Sequence, residues 1–541
     1  MSCSAPPAMN VDSRARGRHL GAAMRIRSFI VLLFLTAIVP AQGWAQTAPT
    51  PSPPVSQQTA ARPISLRETV ALSIKQNRVI QSADADVEVA AGNELSTEGV
   101  LDFEIDGQAT YTRSRSAEIA DSPFQTLSSD TVHTAVSFNQ SLSYGGRFGL
   151  QLANDYTRAT NKLQIIDQTT QMLLSTTQTT DTWVPTVQLT YFMPLLKGFG
   201  EKAFLGQKRV AAANLDAASA DLMNVAAGVV RDAILAYWEL VYQEREVEIR
   251  RSSLGLAREQ LRVAQARLDV GVGAPTDIAE VRQTIATREE DLLLSQLTLS
   301  ERALDIRQIT SLKISPTDMA LVPTDQASPQ LLEVTIEKAL ALANDKNLQI
   351  AAARARGKAA RLTVEVNENG LLPQLDLTGS IGPVGTATEL SPALEQVVSF
   401  DNYSVNVGLN LVAPVQRRTA KGLVAAARGQ LHKAEITEED LRAQVAVAVA
   451  RAVDLVKSTQ QRLATDAEAI QLGQVNLDAE RARFDVGRST NFDVLRRQDE
   501  LSQAQLRRIR ASADYMKAVA ALQTLTGEIV QQYGIQLKPR H

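Results

Sequence analysis

Asp277 and Asp493 are the titratable residues whose surroundings repeat. Each stands six residues after a glycine, Gly271 or Gly487, and each precedes a β-branched residue, in Asp277-Ile278 and Asp493-Val494. A carboxylate so placed caps the first turn of a helix and complements its dipole. No other residues have the spacing of a reactive site. His133, His432 and His541 lie far apart, with no metal-ligand cluster and no Ser/His/Asp set around them. Glu289-Glu290-Asp291 and Glu438-Glu439-Asp440 read as solvated helix faces, and Tyr237-Trp238 as packing. Gly198-Phe199-Gly200 and Gly271-Val272-Gly273 lack the strand-glycine-helix setting of a nucleotide site. The chain reads as a non-enzyme without metal or cofactor, so the elements carrying the two aspartates matter most.

Those elements occur twice. Ala266-Arg267-Leu268-Asp269-Val270-Gly271 returns 216 positions later as Ala482-Arg483-Phe484-Asp485-Val486-Gly487. Leu66, Ala71, Leu72 and Asn77 return 270 positions later as Ile336, Ala341, Leu342 and Asn347. Two echoes in one order mean a duplicated, quasi-symmetric scaffold rather than one catalytic centre. Asn77 to Gly271 spans 194 residues and Asn347 to Gly487 spans 140, a surplus of 54 in the first copy.

Within repeat one (64–312), Ser65 and Glu68 form a capping box that opens a helix running to about residue 100. Strands follow over 101–193: Phe103, Ile105, Ala109 and Tyr111 alternate with polar residues, as do Val132, Val136, Phe138, Leu142 and Tyr144. Gly145-Gly146 signals a hairpin leading into Phe148, Leu150 and Leu152, and Val187, Leu189, Tyr191 and Met193 make another run. Repeat two (331–528) has shorter equivalents over 372–412. Proline is then absent for 80 residues after Pro194 and for 124 after Pro414. Both stretches are rich in helix formers and small residues, predicting rods over 204–270 and 417–486, each about 100 Å long at about 1.5 Å per residue. Return helices are expected over 277–312 and 493–526, an inter-repeat linker over 313–330 and a tail over 529–541.

Arg14, Arg16, Arg18, Arg25 and Arg27 precede an apolar run from Phe29 to Val39, with Gly43-Trp44-Ala45 after it. That is the pattern of a secretory signal peptide, residues 1–45, and the run is too short for a spanning helix. Met1, Met9 and Met24 are candidate starts, and residues 1–23 add little to the signal. The single cysteine, Cys3, lies upstream of the cleavage site, so the exported chain is expected to carry no thiol and no amino-terminal lipid anchor. A proline-rich linker, 46–63, follows. Cleavage removes five arginines and one aspartate and moves the formal charge from −3 to −7, which gives no reason to expect nucleic acid. No later stretch has 18 consecutive apolar residues, so if the chain enters a bilayer, strands must do it.

Together these pieces resemble the TolC-like outer membrane efflux family over residues 64–528. The likeness rests on the duplication, on Leu371-Leu372-Pro373-Gln374-Leu375-Asp376-Leu377, and on the paired tips Val270-Gly271…Thr276-Asp277 and Val486-Gly487…Thr490. It continues through Asp493-Val494-Leu495 into Leu501, Ala504, Leu506, Ala511, Tyr515, Ala518 and Leu522, ending at Thr526-Gly527. The resemblance implies an α+β membrane protein. It would be a homotrimer whose chains each give four strands to a 12-stranded β-barrel in outer-membrane lipid, continuous with a long α-helical periplasmic tunnel. The surplus is expected as an extended hairpin at the usual strand number, the alternative being extra strands that enlarge the barrel.

The family further implies that Val270, Gly271, Thr276, Val486, Gly487 and Thr490 dock a periplasmic adaptor that works with an inner-membrane transporter. The alternative for each glycine is a simple C-cap and turn. Asp493 matches a ring that narrows the tunnel gate, where three copies would repel, raise their pKa values and attract cations. Arg496 departs from the next ring position. Asp277 matches a gating aspartate whose usual arginine partner is Ser489 here, so Arg488 or Arg496 is its expected partner. The alternative for both aspartates is helix capping. The leading function is a passive exit duct of a tripartite efflux pump or type I secretion system. The alternative is a periplasmic adaptor or coiled-coil scaffold, which has one hairpin flanked by Gly-rich β modules; this chain has two hairpins, each preceded by alternating strands. An enzyme ranks third.

Overall fold

In chain order the first repeat contains β1 (Arg62–Ile64), α1 (Leu66–Gln76), α2 (Arg78–Glu98), β2 (Phe103–Arg115), β3 (Phe124–Ser141), β4 (Arg147–Ile166), β5 (Leu173–Pro194), α3 (Glu201–Phe204), α4 (Gly206–Asp269) and α5 (Pro275–Thr310). The second contains β6 (Leu321–Pro323), α6 (Ile336–Lys346), α7 (Leu348–Asn369), β7 (Gln374–Pro383), α8 (Leu390–Ser399), β8 (Tyr403–Val412), α9 (Arg418–Asp485), α10 (Asn491–Leu525) and α11 (Glu528–Gln532). This computed structural model describes residues 62–119, 122–166, 173–271, 274–314 and 320–535. The expected signal peptide, the linker through residue 61, part of the inter-repeat linker and residues 536–541 lie outside them.

The Ser65 hydroxyl accepts the Glu68 N–H at 3.2 Å, which opens α1. One helix to residue 100 was expected; two are found, because the Asn77 side chain accepts the Val79 N–H at 2.9 Å and starts α2 afresh. Asn347 does the same between α6 and α7.

The rods α4 and α9 contain 64 and 68 residues, so each is about 100 Å long. α7 packs against both, through Arg356–Asp221 on one side and Arg428–Glu368 on the other. Further along, α10 packs against both rods, while α2 and α5 cover α4. Buried alanines, among them Ala226, Ala227, Ala233 and Ala257 on α4, let the helices approach closely. One core gathers Val230, Ile234, Tyr237 and Ile306; its counterpart gathers Val449, Val453, Ala511 and Tyr515.

The strands form one antiparallel six-stranded sheet in the order β2-β3-β4-β5-β7-β8. This corrects the expectation of four strands per chain. The surplus in repeat one supplies two additional strands, not only a longer hairpin. Among the described residues, β1 pairs in parallel with β6, so the linker ends in structure at Arg62, and Ile64 is fully buried against Leu321. The expected tail also begins in the fold: Gly527 turns the chain in the left-handed region and buries Ile529 of α11.

Candidate functional site

The sheet has two chemically different faces. Paired residues on neighbouring strands point the same way, and successive residues on a strand point oppositely. One row across all six strands reads Ile105, Phe138, Leu150, Leu189, Ile381 and Val405. The adjacent row reads Glu104, Asn139, Gly149, Thr190, Ser380 and Asn406. The first is entirely apolar and the second carries no large apolar side chain. The Ile105, Leu150, Leu189, Ile381 and Val405 side chains are left exposed by this chain.

Two aromatic girdles bound the apolar face. Phe103, Phe148 and Tyr191 mark one, and Tyr111, Tyr156 and Trp183 the other, eight residues away on each strand. Eight residues at about 3.4 Å each make about 27 Å, close to the apolar band of a membrane barrel at about 25 Å. Phe148 and Tyr191 rings lie 4.6 Å apart, and Tyr156 and Trp183 rings 4.5 Å. Past the second girdle the chemistry changes to hydroxyls and charges: Arg158 binds Asp181 through Nε at 2.8 Å and Nη2 at 3.1 Å, and the Thr160 and Thr179 hydroxyls meet at 3.1 Å. Among the described residues no helix is long and apolar enough to cross a membrane.

At the far end of the rods sit the paired tips. Gly271 and Gly487 adopt φ of 76° and 74°, where a side chain is strained, and a Cβ on either would meet open space. Val270 and Val486 stand 73% and 70% exposed, and Thr276 and Thr490 are exposed beside them. The glycines end the rods, and the turn explains their conformation.

Asp493 caps α10. Its Oδ2 accepts the Thr490 hydroxyl at 2.6 Å and the Thr490 N–H at 3.2 Å, while the Asp493 N–H donates to the Thr490 hydroxyl. The Thr490 hydroxyl, with its N–H, holds the Asp493 carboxyl below the usual carboxylate range. Asp277 accepts the Ala274 N–H at a long 3.5 Å. Within this chain Arg496 pairs with Glu500, one turn along its own helix, at 3.2 Å, and not with Asp277. Arg488 also forms no ion pair with Asp277 among the described residues.

The contacts that join the two hairpins are others. The Arg267 guanidinium lies 3.7 Å from the Phe484 ring centre and donates to the Phe484 carbonyl at 3.2 Å. Gln260 donates to Asn491. Buried Arg288 donates to the Ser253 carbonyl at 2.8 Å and lies 3.9 Å from Asp499. Further up, Glu239 of α4 binds Arg510 and Lys517 of α10; burial alone would raise its carboxyl, but the two cations outweigh it and lower the pKa. The signal for the first contact was present in the repeated hexapeptide, whose one difference is Leu268 against Phe484.

Both flanks of the chain carry unpartnered apolar side chains. Val79, Val89 and Leu95 on α2 and Leu293 and Leu297 on α5 are exposed on one side, and Val447, Leu472 and Val475 on α9 on the other. Strands β2 and β8 are the free sheet edges.

Residues 339–528 match the family described as outer membrane efflux protein. The chain is 27% identical over 319 residues to the outer membrane efflux protein BepC of Brucella suis biovar 1, covering 59% of this chain and 67% of that protein. It is 24% identical over 310 residues to the outer membrane protein TolC of Vibrio cholerae, covering 56% and 69%. Among solved structures, the outer membrane protein VceC of Vibrio cholerae superposes with a TM-score of 0.59 at 17% identity, over 85% of this chain and 96% of that one. CusC superposes with a TM-score of 0.61 at 13% identity, over 89% and 99%.

Proposed function

We propose that this chain is a TolC-like outer membrane efflux protein, seated in the outer membrane and reaching into the periplasm, and that it is the passive exit duct of a tripartite efflux pump or type I secretion system. The observation that carries this reading is the adjacent pair of rows across the sheet, one apolar and exposed, the other polar. A lone sheet with those faces buries neither. Closed into a barrel, it presents the apolar face to lipid and the polar face to a water-filled bore, with every backbone group paired.

Closure needs more than one copy. Three copies joined β8 to β2 make the barrel, and the exposed stripes of α2 and α5 then meet α9 of the next copy to complete the periplasmic tunnel. With six strands per chain the barrel has eighteen strands, not the twelve that four per chain implied. The tips at Val270, Gly271, Thr276, Val486, Gly487 and Thr490 dock the adaptor that couples the duct to an inner-membrane transporter. Asp277 and Asp493 line the tunnel gate, with Arg496 held by Glu500. The duct moves cargo without chemistry. The adaptor or scaffold reading gives the apolar sheet face and its girdles no role.

The test is fractionation. The exported protein is expected with the outer membrane as a heat-labile trimer, and recovery as a soluble monomer overturns the duct.

A further inference from the structure

One element of the sheet region is unexplained by a plain barrel. Between β7 and β8 the chain does not form a simple loop. Val384 to Ala387 continue along β5, where Gly385 donates to the Pro185 carbonyl at 2.9 Å and Trp183 to the Ala387 carbonyl at 2.8 Å. The chain then folds back as the ten-residue α8.

The side on which α8 lies is fixed by burial. Ala135 is only 7% exposed, whereas its neighbour Val136, on the apolar face, is 41% exposed. α8 therefore covers the polar face. Its level is fixed by register: Ala135 pairs with Ala153, and Ala153 with Thr186. Ala153 lies between the girdle residues Phe148 and Tyr156, so α8 sits at the depth of the apolar band, on the side away from lipid. Leu390, Leu394 and Val397 share with Ala135 and Ala153 a cleft of about 660 Å³, so the helix arches over β3 and β4 without lying flat on them.

The helix is pinned there. Gln396 accepts the Thr386 N–H at 2.9 Å and donates back to the Thr386 carbonyl at 3.2 Å. A Cβ on Gly385 would stand 1.9 Å from the Ala393 carbonyl, so this approach of helix to strand requires glycine. Ala393 and Val397 are buried against the sheet, while Val398 is 82% exposed, and Leu394 and Phe400 are exposed as well.

We propose that α8 is an internal constriction of the pore, placing Leu394, Val398 and Phe400 in a bore whose wall is otherwise polar. This rests on the duct reading. A barrel of about eighteen strands leaves a wide aqueous channel, and a helix from each copy narrows it. Apolar side chains at a narrow point disfavour hydrated ions, so the constriction admits amphiphilic or apolar cargo at lower cost than small inorganic ions.

The experiment is single-channel recording in planar bilayers of the assembled exported protein, whose one cysteine, Cys3, lies in the expected signal peptide, with potassium chloride as the probe. Replacing residues 388–401 by a short Gly-Ser turn is expected to raise conductance to the limit set by the tip gate in series. Val398→Cys, labelled with a bulky impermeant thiol reagent and verified by mass, is expected to lower it. A conducting parent protein whose fully labelled Val398→Cys variant keeps its conductance overturns the constriction and leaves the duct standing. A parent protein that forms no pore overturns the duct and the constriction together.

Discussion

Asn77 and Asn347 make the same junction in the two halves of the chain. Each side-chain oxygen caps a helix, Asn77 for Val79 and Asn347 for Gln349 and Ile350. Each side-chain nitrogen reaches the last turn of its own repeat's return helix, Asn77 to the Ile309 carbonyl at 2.8 Å and Asn347 to the Leu525 carbonyl at 2.9 Å. The duplication is thus an echo of contacts as well as of letters. Asn347→Ala removes the cap and leaves a carbonyl unpaired, at a cost of about 1–3 kcal/mol. Asn347→Ser keeps a capping oxygen and loses only the reach to the Leu525 carbonyl, so its effect should be smaller. Denaturant midpoints of the assembled protein compare the two; equal losses would refute the division of labour.

How much of this was legible follows the same physics. The rods and their glycine tips were legible because helix periodicity and missing proline persist over many turns. The alternating faces were legible where a strand has one dry side. The upper halves of β3, β4 and β5 were not: Gln125 to Asp130 and Thr176 to Thr182 lie past the Tyr156–Trp183 girdle, where no alternation is needed because neither face is dry. α8 was missed because ten residues with Pro392 inside show too few turns to establish a period. The hairpin links Arg267–Phe484 and Gln260–Asn491 depend on residues more than two hundred positions apart, which spacing alone does not bring together.

Leu152 and Gln151 test the faces of the sheet with neighbouring residues. Leu152 stands midway between the Phe148 and Tyr156 girdles on the apolar side, and Gln151 points to the other. Leu152→Arg places a charge in mid-lipid and should cost about 2–4 kcal/mol. Gln151→Arg, in an aqueous bore, should be tolerated. The amount of heat-labile trimer in the outer membrane is the readout. Equal yields of the two variants would contradict the assignment of faces.

At Gly487, backbone strain and docking make separable demands. The φ of 74° costs a non-glycine residue about 1–2 kcal/mol, with asparagine the best tolerated substitute. Gly487→Trp should abolish export without reducing trimer yield, since a side chain there meets open space in this chain. Gly487→Asn keeps the turn and adds a modest side chain, so a docking role predicts partly reduced export with normal assembly. Full export by the tryptophan variant would leave the glycine with a turn and nothing more.

Asp493 and Thr490 separate capping from gating. Thr490 holds the Asp493 carboxyl below its ordinary value, so this contribution to the tip is complete above the ordinary carboxylate pKa of about 3.9 and is lost as pH falls through the depressed value. Hydrogen exchange at the start of α10 should therefore stay slow at neutral pH and quicken only in strong acid. Thr490→Val and Asp493→Ala both break the reciprocal cap and should both quicken exchange at neutral pH. A ring of carboxylates at the gate adds a second effect that only one of them can have: Asp493→Ala removes the charge and should weaken cation selectivity or cation block in single-channel recordings, while Thr490→Val keeps the charge and should not. If the two variants lose selectivity equally, or neither does, Asp493 is a helix cap and the gate is made by other residues.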